Sequence, residues 1–296
     1  MNIKNKVKFF LRDNFPKELY TSIFVVYQKI FGSKEFLDIN KKYYSFTKRG
    51  VNNFDLEDIH FEIVLDPKNG CVDYDIYARG SFEAGILKLI RKELKNTDTF
   101  LDIGANIGQH SLYASHFCDN VISFEPIKKI FFQFVESISI NDIYNIRVYN
   151  FGLGNQNGKF LIHSSDANIG ASSLVTKSSN RNISQEVKIK KLDNIVSDLQ
   201  IHKVDFMKID VEGYEWEVLQ GAEKLISIHK PKILIEFTPV IYKEKDNSIG
   251  EKIYDFLKSK NYIIIDVDND GSKYKEVKNF EDIKDVFQTN LFCYQV

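Results

Sequence analysis

Thr99-Phe-Leu-Asp-Ile-Gly-Ala-Asn-Ile-Gly-Gln-His-Ser-Leu-Tyr113 decides how the chain is read. A short apolar run, Phe100 to Ile103 broken only by Asp102, predicts a strand. Gly104 to Gly108 predicts a tight turn, and Leu112, Tyr113 and Phe117 then recur at helical spacing. Strand, glycine turn and helix together form the entry to a nucleotide-binding βαβ unit. A dinucleotide turn of the form G-x-G-x-x-G lets the backbone approach a pyrophosphate. Here Asn106 and Gln109 occupy the second and third glycine positions and would bring side chains into that space. A ligand without a diphosphate fits better, and S-adenosylmethionine is the candidate.

Working outward, the remaining strands and helices alternate. Val121–Phe124, Asn145–Tyr149, Val204–Ile209 and Lys232–Ile235 read as further strands, with Tyr262–Val267 and Leu291–Val296 as a closing pair. Helical patterns over 111–117, 128–140, 214–228 and 250–260 separate them, the signature of a parallel, doubly wound sheet. Upstream, Asn69-Gly70 between two β-like runs predicts a hairpin over residues 60–77, and a helix from Ser81 to Asn96 delivers the chain to the opening strand. The predicted organisation is an N-terminal helical extension over residues 1–60 and a domain over 61–296, comprising that hairpin and an α/β core over 79–296.

Bulk composition narrows the function classes. The 296 residues carry a net charge of −1, so no global basic field is present to hold a nucleic-acid backbone, and no nucleic-acid partner is expected. Cys71, Cys118 and Cys293 are odd in number and without metal spacing, which points to a reducing, cytoplasmic location. Lys4, Lys6, Lys8 and Arg12 precede an apolar run, Ile23–Tyr27, that is too short to span a bilayer. An amphipathic packing helix and a helix making peripheral contact with a membrane surface are the two readings of that segment. Oligomeric state is not legible.

Polar residues end all five core strands: Asp102, Glu125, Asn150, Asp210 and Glu236. In open α/β sheets the ligand crevice lies at the carboxyl ends of the strands, so these groups should converge on one rim. Asp102 is read as a cofactor contact, with bonding to the turn amides as its structural alternative. Glu125, roughly twenty residues past the glycine turn, is placed to bind ribose hydroxyls. Asn150 would lie near an adenine, although the glycines that follow also suit a plain turn. In Lys208-Ile-Asp210-Val-Glu212 the alternation puts three charges on one side. Asp210 and Glu212 would orient or deprotonate an acceptor hydroxyl, or hold a divalent cation, and an ion pair with Lys208 is the plain alternative. Glu215 and Glu217 suit the first turn of a helix. No histidine pair has metal-ligand spacing, and no metal site is assigned. His110, at the exit of the glycine turn, is a candidate base or substrate contact. The Ser-, Asn- and Gly-rich stretch 164–181 reads as a substrate lid, with Asn168 and Ser173 as contacts.

These stretches resemble a known family. Phe100-Leu-Asp-Ile-Gly-Ala-Asn-Ile-Gly108, Phe124-Glu-Pro126, Lys208-Ile-Asp-Val-Glu-Gly-Tyr-Glu215, Val218-Leu-Gln-Gly221 and Leu234-Ile-Glu236 are similar to the FkbM family of S-adenosylmethionine-dependent O-methyltransferases. Gly80-Ser-Phe-Glu83 and Leu192-Asp193 extend the similarity, which covers roughly residues 79–240 and not the first 60. The resemblance implies a class I methyltransferase (Rossmann-like) fold, a mostly parallel seven-stranded sheet whose last strand is antiparallel. It also implies methyl transfer to a hydroxyl, often on a sugar or glycan. Asp210, Glu212 and Glu236 are then the candidates for proton removal, with Glu83 reaching the site from the preceding helix. Asp102, Gly104, Asn106, Gly108, Glu125, Asn150 and Asp210 form the cofactor side. Three rivals stand beside this reading: an NAD-dependent oxidoreductase, which Asn106 and Gln109 oppose; a nucleic-acid methyltransferase, which would want an Asn/Asp-Pro-Pro-aromatic or Pro-Cys motif and a basic face, neither of them found; and a non-catalytic scaffold that retains the fold.

Overall fold

Alternation along the strands sorts the chain onto two faces of one central sheet. The structure, a computed structural model, describes residues 46–165, 168–173, 183–243, 245–268, 271 and 274–296; for residues 163–165, 168–173, 183 and 184 only the backbone is described. The extension expected to be helical lies, over residues 1–45, outside the described residues. The first strands are β1 (Gly50–Leu56), β2 (Ile59–Leu65), β3 (Thr99–Ile103), β4 (Asn120–Phe124) and β5 (Ile146–Tyr149). β6 (Gly152–Leu153), β7 (Gly158–Ser165), β8 (Asn168–Ser173) and β9 (Ile183–Lys190) follow. β10 (Phe206–Ile209), β11 (Lys232–Phe237), β12 (Ile263–Val267), β13 (Tyr274–Glu276) and β14 (Thr289–Tyr294) complete the set.

The central sheet has the order β13-β12-β14-β11-β10-β3-β4-β5. From β5 to β11 neighbouring strands are parallel, and β14 is inserted antiparallel between β11 and β12. The sheet therefore has eight strands rather than the seven expected, the additional one being the three-residue edge strand β13. Phe100, Val121, Ile146, Phe206 and Leu234 pack on one face, against β1 and β2 and the helices Ala84–Glu93, Gln109–Ala114 and Lys128–Ile140. Leu101, Ile103, Ile122, Phe124, Met207, Ile209, Ile233 and Ile235 pack on the other, against helices Glu215–Gly221, Glu223–His229 and Ile249–Ser259. On this second face the apolar side chains run to the strand ends. On the first face the same alternation turns polar, giving Asp102, Ser123 and Lys208, then Glu125, Asn150, Asp210 and Glu236. All five predicted strand-end residues thus share one face as well as one rim.

Three expected elements and one boundary are corrected. The hairpin over 60–77 is instead β1 paired with β2, closed by Glu57 and Asp58, with Glu57 at φ 58°. Residues Cys71–Arg79 form a helix, because Gly70 (φ 115°) starts it and the Asn69 side chain is drawn inward to Gln133 and Asp73. A domain boundary at residue 60 would cut this hairpin in two. Phe54 of β1 stacks on Phe61 of β2 and contacts Tyr113, so the core begins upstream of Gly50, where buried Phe46 stacks on Tyr77. The stretch expected to be a lid loop is strand over Ser164–Ser165 and Asn168–Ser173. β7 pairs with both β8 and β9 in a four-stranded sheet of order β6-β9-β7-β8, and β8 runs beside helix Cys71–Arg79. The single helix expected over 214–228 is two, divided at Ala222. None of the three cysteines forms a disulfide. Among the described residues no helix is long and apolar enough to cross a membrane.

Candidate functional site

The glycine turn is built by close packing of the protein against itself. Gly104 has φ +82°, and a Cβ there would lie 1.8 Å from the Asp210 carbonyl oxygen. Gly108 has φ +86°, and its Cβ would strike the Phe134 ring at 2.0 Å. The amides of Gly104 and Ala105 both donate to the Phe124 carbonyl, which fastens the turn to the end of β4. Asn106 sits in the left-handed region at φ 52°, and its amide donates to Glu125 Oε2 (2.9 Å). Its own Oδ1 accepts from the Ile107 amide, so the side chain is used within the turn. Gln109 does not project into the crevice as expected. It folds back to clamp Phe82, accepting from its amide (2.7 Å) and donating to its carbonyl (2.9 Å).

Glu125 is buried, with Oε2 on the Asn106 amide and Oε1 on the Ile127 amide (2.8 Å). Burial pushes its carboxyl up to about 7, while those two amides hold it back and the Asp102 and Asp210 charges add to the rise. The Asn150 amide group donates to the carbonyls of Glu125 and Pro126 (2.9 and 3.0 Å), fixing the turn that carries Glu125.

Ser123, Asp102 and Lys208 occupy one register row across β4, β3 and β10. Asp102 is completely buried; Ser111 Oγ donates to its Oδ2 at 2.6 Å and lies 2.7 Å from Ser123 Oγ. Its Oδ1 is buried without a hydrogen-bond partner. Lys208 Nζ lies 2.9 Å from Asp210 Oδ2, so the ion pair is present, with the ammonium side chain only 4% exposed. Burial would lower the Lys208 pKa, but Asp210, Asp102 and Glu83 more than offset this and hold the ammonium charged. Asp102 is raised by burial, which the Lys208 charge and the Ser111 bond oppose.

Further carboxylates crowd the other side. Glu236, just before the end of β11, accepts from Gln288 Nε2; burial, then Asp210, Glu212, Glu215 and Glu83, push it well above the usual range. Glu215 is in the first turn of its helix as expected. Its Oε1 accepts from the amides of Val211 and Gly213 (both 3.1 Å), bracing the turn in which Glu212 takes φ 54°. Glu83 precedes helix Ala84–Glu93 at φ 51°, and its Oε2 lies 3.6 Å from His110 Nε2. Burial and the Lys208 charge lower the His110 pKa, and its Nε2 is buried without a hydrogen-bond partner. Three of the non-glycine residues with positive φ, Glu83, Asn106 and Glu212, lie at this rim, the kind of backbone strain that clusters at functional sites.

Asp102, Gly104, Asn106, Glu125, Asp210, Glu212, Glu236, Glu83 and His110 are therefore drawn together, with Asn150 and Gly108 in support. Asn168 and Ser173 fall on the backbone of β8, and their side chains lie outside the described residues. Among the described residues no three His, Cys, Asp or Glu side chains are arranged to hold a metal ion. Ser111, Ser123, the Gln109 clamp and Gln288 are additions that the sequence reading missed. Ser123 carried a signal, since it interrupts an apolar strand at the position matching Asp102.

This strand order, with one antiparallel strand inserted and the polar crevice at the carboxyl ends, is the class I methyltransferase fold. The chain belongs to the Methyltransferase FkbM domain family, whose domain matches residues 102–264. The hexuronic acid methyltransferase AglP of Haloferax volcanii is 28% identical over 139 residues, covering 47% of this chain and 56% of that protein. Methyltransferase 1 of Beauveria bassiana is 24% identical over 189 residues, covering 57% of this chain and 68% of that one. Among solved structures, the methyltransferase FkbM of Methylobacillus flagellatus aligns with a TM-score of 0.43 at 18% identity, over 68% of this chain and 44% of that one. The matches thus span little more than half of the Haloferax protein and less than half of the Methylobacillus protein.

Proposed function

We propose that the protein transfers a methyl group from S-adenosylmethionine to a hydroxyl of a sugar or glycan. The observation that carries the reading is the row of polar groups on one face, where the parallel strands end in Asp102, Glu125, Asn150, Asp210 and Glu236. The crevice suits a cationic ligand. It gathers carboxylates around one buried ammonium, and Asp102 Oδ1 is a buried acceptor with no partner. Bound there, S-adenosylmethionine supplies an electrophilic methyl group on a positively charged sulfur.

The chain's own residues have separable tasks in this reading. Glu125 accepts ribose hydroxyls through the lone pairs its two amide partners leave unused, and Asn150 keeps the Glu125 turn in place. Asp102 and Asp210 provide negative potential, while the Lys208 charge limits the cost of burying Asp102 and pairs with the partly exposed Asp210. Gly104, Asn106 and Gly108 hold the turn against β4 and β10, so the site is formed before any ligand enters. Asp210, one of the candidates for proton removal, is engaged by Lys208. Burial and the neighbouring carboxylates push Glu236 above the usual carboxylate range, which favours its protonated form and so a hydrogen bond donated to an acceptor oxygen. The carbohydrate acceptor is supported by the Haloferax relative, whose name specifies a hexuronic acid.

Calorimetry with S-adenosylhomocysteine and NAD in parallel tests the cofactor. Binding of the first alone is expected, and binding of NAD alone overturns the reading. Transfer of labelled methyl to a panel of neutral sugars, uronic acids and RNA tests the acceptor, with label expected in a sugar fraction. Chelator is expected to leave that rate unchanged; a loss would give Asp210 and Glu212 a cation to hold.

A further inference from the structure

We propose that Glu83 takes the proton from the acceptor hydroxyl, with Gln109 as its positioning residue and His110 as its neighbour in the site. The inference rests on the methyl-transfer reading above and names the base for that same site.

The other rim carboxylates with a resolved partner are already engaged. Glu125 and Glu215 each accept two backbone amides, Asp210 is paired with Lys208, and Glu236 accepts from Gln288. Glu83 differs. It occupies the N-cap of helix Ala84–Glu93, where a carboxylate ordinarily accepts a free amide of the first turn, yet its side chain makes no cap bond. Its backbone carbonyl instead accepts from Ile86 and Leu87, leaving the side chain free to turn towards the crevice. Among the described residues its close polar neighbour is His110 Nε2 at 3.6 Å, too long for a hydrogen bond, and the side chain keeps 12% exposure.

The backbone that aims this carboxylate is held against its preference. A glutamate at φ 51° and ψ 48° is strained, and the residue before it is gripped at both amide and carbonyl by Gln109. Glu83 thus comes from a segment ahead of β3, while its clamp comes from the helix that the glycine turn starts. The charges facing it are Lys208 on β10, Asp210 just past that strand's end and Glu236 on β11, with the His110 ring beside it. Burial, then Asp210, raise its carboxyl to about 7 against the pull of Lys208, which suits a base working at neutral pH. In the step itself the acceptor O–H bond breaks and its proton passes to a Glu83 carboxylate oxygen. The bonding pair stays on the acceptor oxygen, which becomes the nucleophile.

The test uses the full chain with Glu83→Gln, Glu83→Asp and Gln109→Leu, following kcat, KM, the pH profile and the heat of S-adenosylhomocysteine binding. Glu83→Gln is expected to lower kcat by about 100-fold or more, abolish the acid limb of the profile near neutrality and leave the binding heat unchanged. Glu83→Asp should recover part of that rate. Gln109→Leu should lower kcat more than it raises KM and move the acid limb to lower pH, because a loosened carboxylate gains water. Retention of kcat or of the acid limb in Glu83→Gln overturns the proposal. So does a wild-type profile with no acid limb near neutrality, a readout that survives any folding failure of the variants. Absence of S-adenosylhomocysteine binding in the wild type would instead overturn the methyl-transfer reading.

Discussion

The two sides of the crevice satisfy their carboxylates in opposite ways. On the glycine-turn side, Glu125 is held by the amides of Asn106 and Ile127, and Asn150 anchors the same turn through two carbonyls. On the opposite side, Glu83, Asp210 and Glu236 crowd one another, with Lys208 the buried cation among them. The first side is made of backbone hydrogen bonds between residues close in sequence. The second is made of charge, drawn from three separate segments. Local hydrogen bonding gives a rigid cradle, whereas crowded charge gives groups whose protonation is poised to change.

The largest effect is expected from Gly104→Ala, which joins both sides. Its Cβ would lie 1.8 Å from a backbone oxygen at a positive φ, so stability should fall by more than about 4 kcal/mol, read by denaturant unfolding. Near-normal stability would mean that the two sides are not in register through this contact. Next comes Lys208→Met, which strands Asp102 and Asp210. A loss of about 3–5 kcal/mol is expected, partly recovered by adding Asp102→Asn, and a neutral effect would show that charge does not hold the acid side together.

Asp73, buried between the hairpin and helix Lys128–Ile140, is a control away from the crevice. It accepts from the Asp66 amide, Asn69 and Gln133, yet burial raises it to about 6. The folded state therefore binds its proton more tightly than the unfolded chain does. Its contribution is full below the unfolded pKa near 4 and is lost as pH rises through 6, by about 3 kcal/mol. Asp73→Asn should flatten that part of the stability-against-pH curve, and an unchanged curve would refute the assignment. The smallest effect is expected from Asn150→Ala, about 1–2 kcal/mol with S-adenosylhomocysteine affinity weakened through Glu125. An unchanged affinity would separate Asn150 from the cradle.

The same contrast explains what the sequence disclosed. The cradle lies within some fifty residues, and its strands β3, β4 and β5, with helix Lys128–Ile140, follow the apolar pattern closely. The acid side was legible as a list of strand ends but not as a network. The Lys208–Asp210 pair was readable from their spacing along one strand, whereas the Gln109 clamp on Phe82 and the Glu83–His110 approach depend on which segments become neighbours. Asn69-Gly70 misled because its local turn preference is shared by a helix start, and a buried polar network claimed the Asn69 side chain. The stretch Asn168–Ser173 was misread because its polar composition suits a loop, whereas its backbone pairs with β7, which pairs in turn with β9 further along the chain.

Contact between Gly104 and the Asp210 carbonyl has a consequence for how this site can diversify. The gap between its two sides is set by one backbone resting on another, with no side chain between them to lengthen or trim. Substitution can change the charge, size and reach of what lines the crevice, but its width stays fixed as a constant of the scaffold. New acceptors must therefore be met by redecorating the far wall, never by moving it.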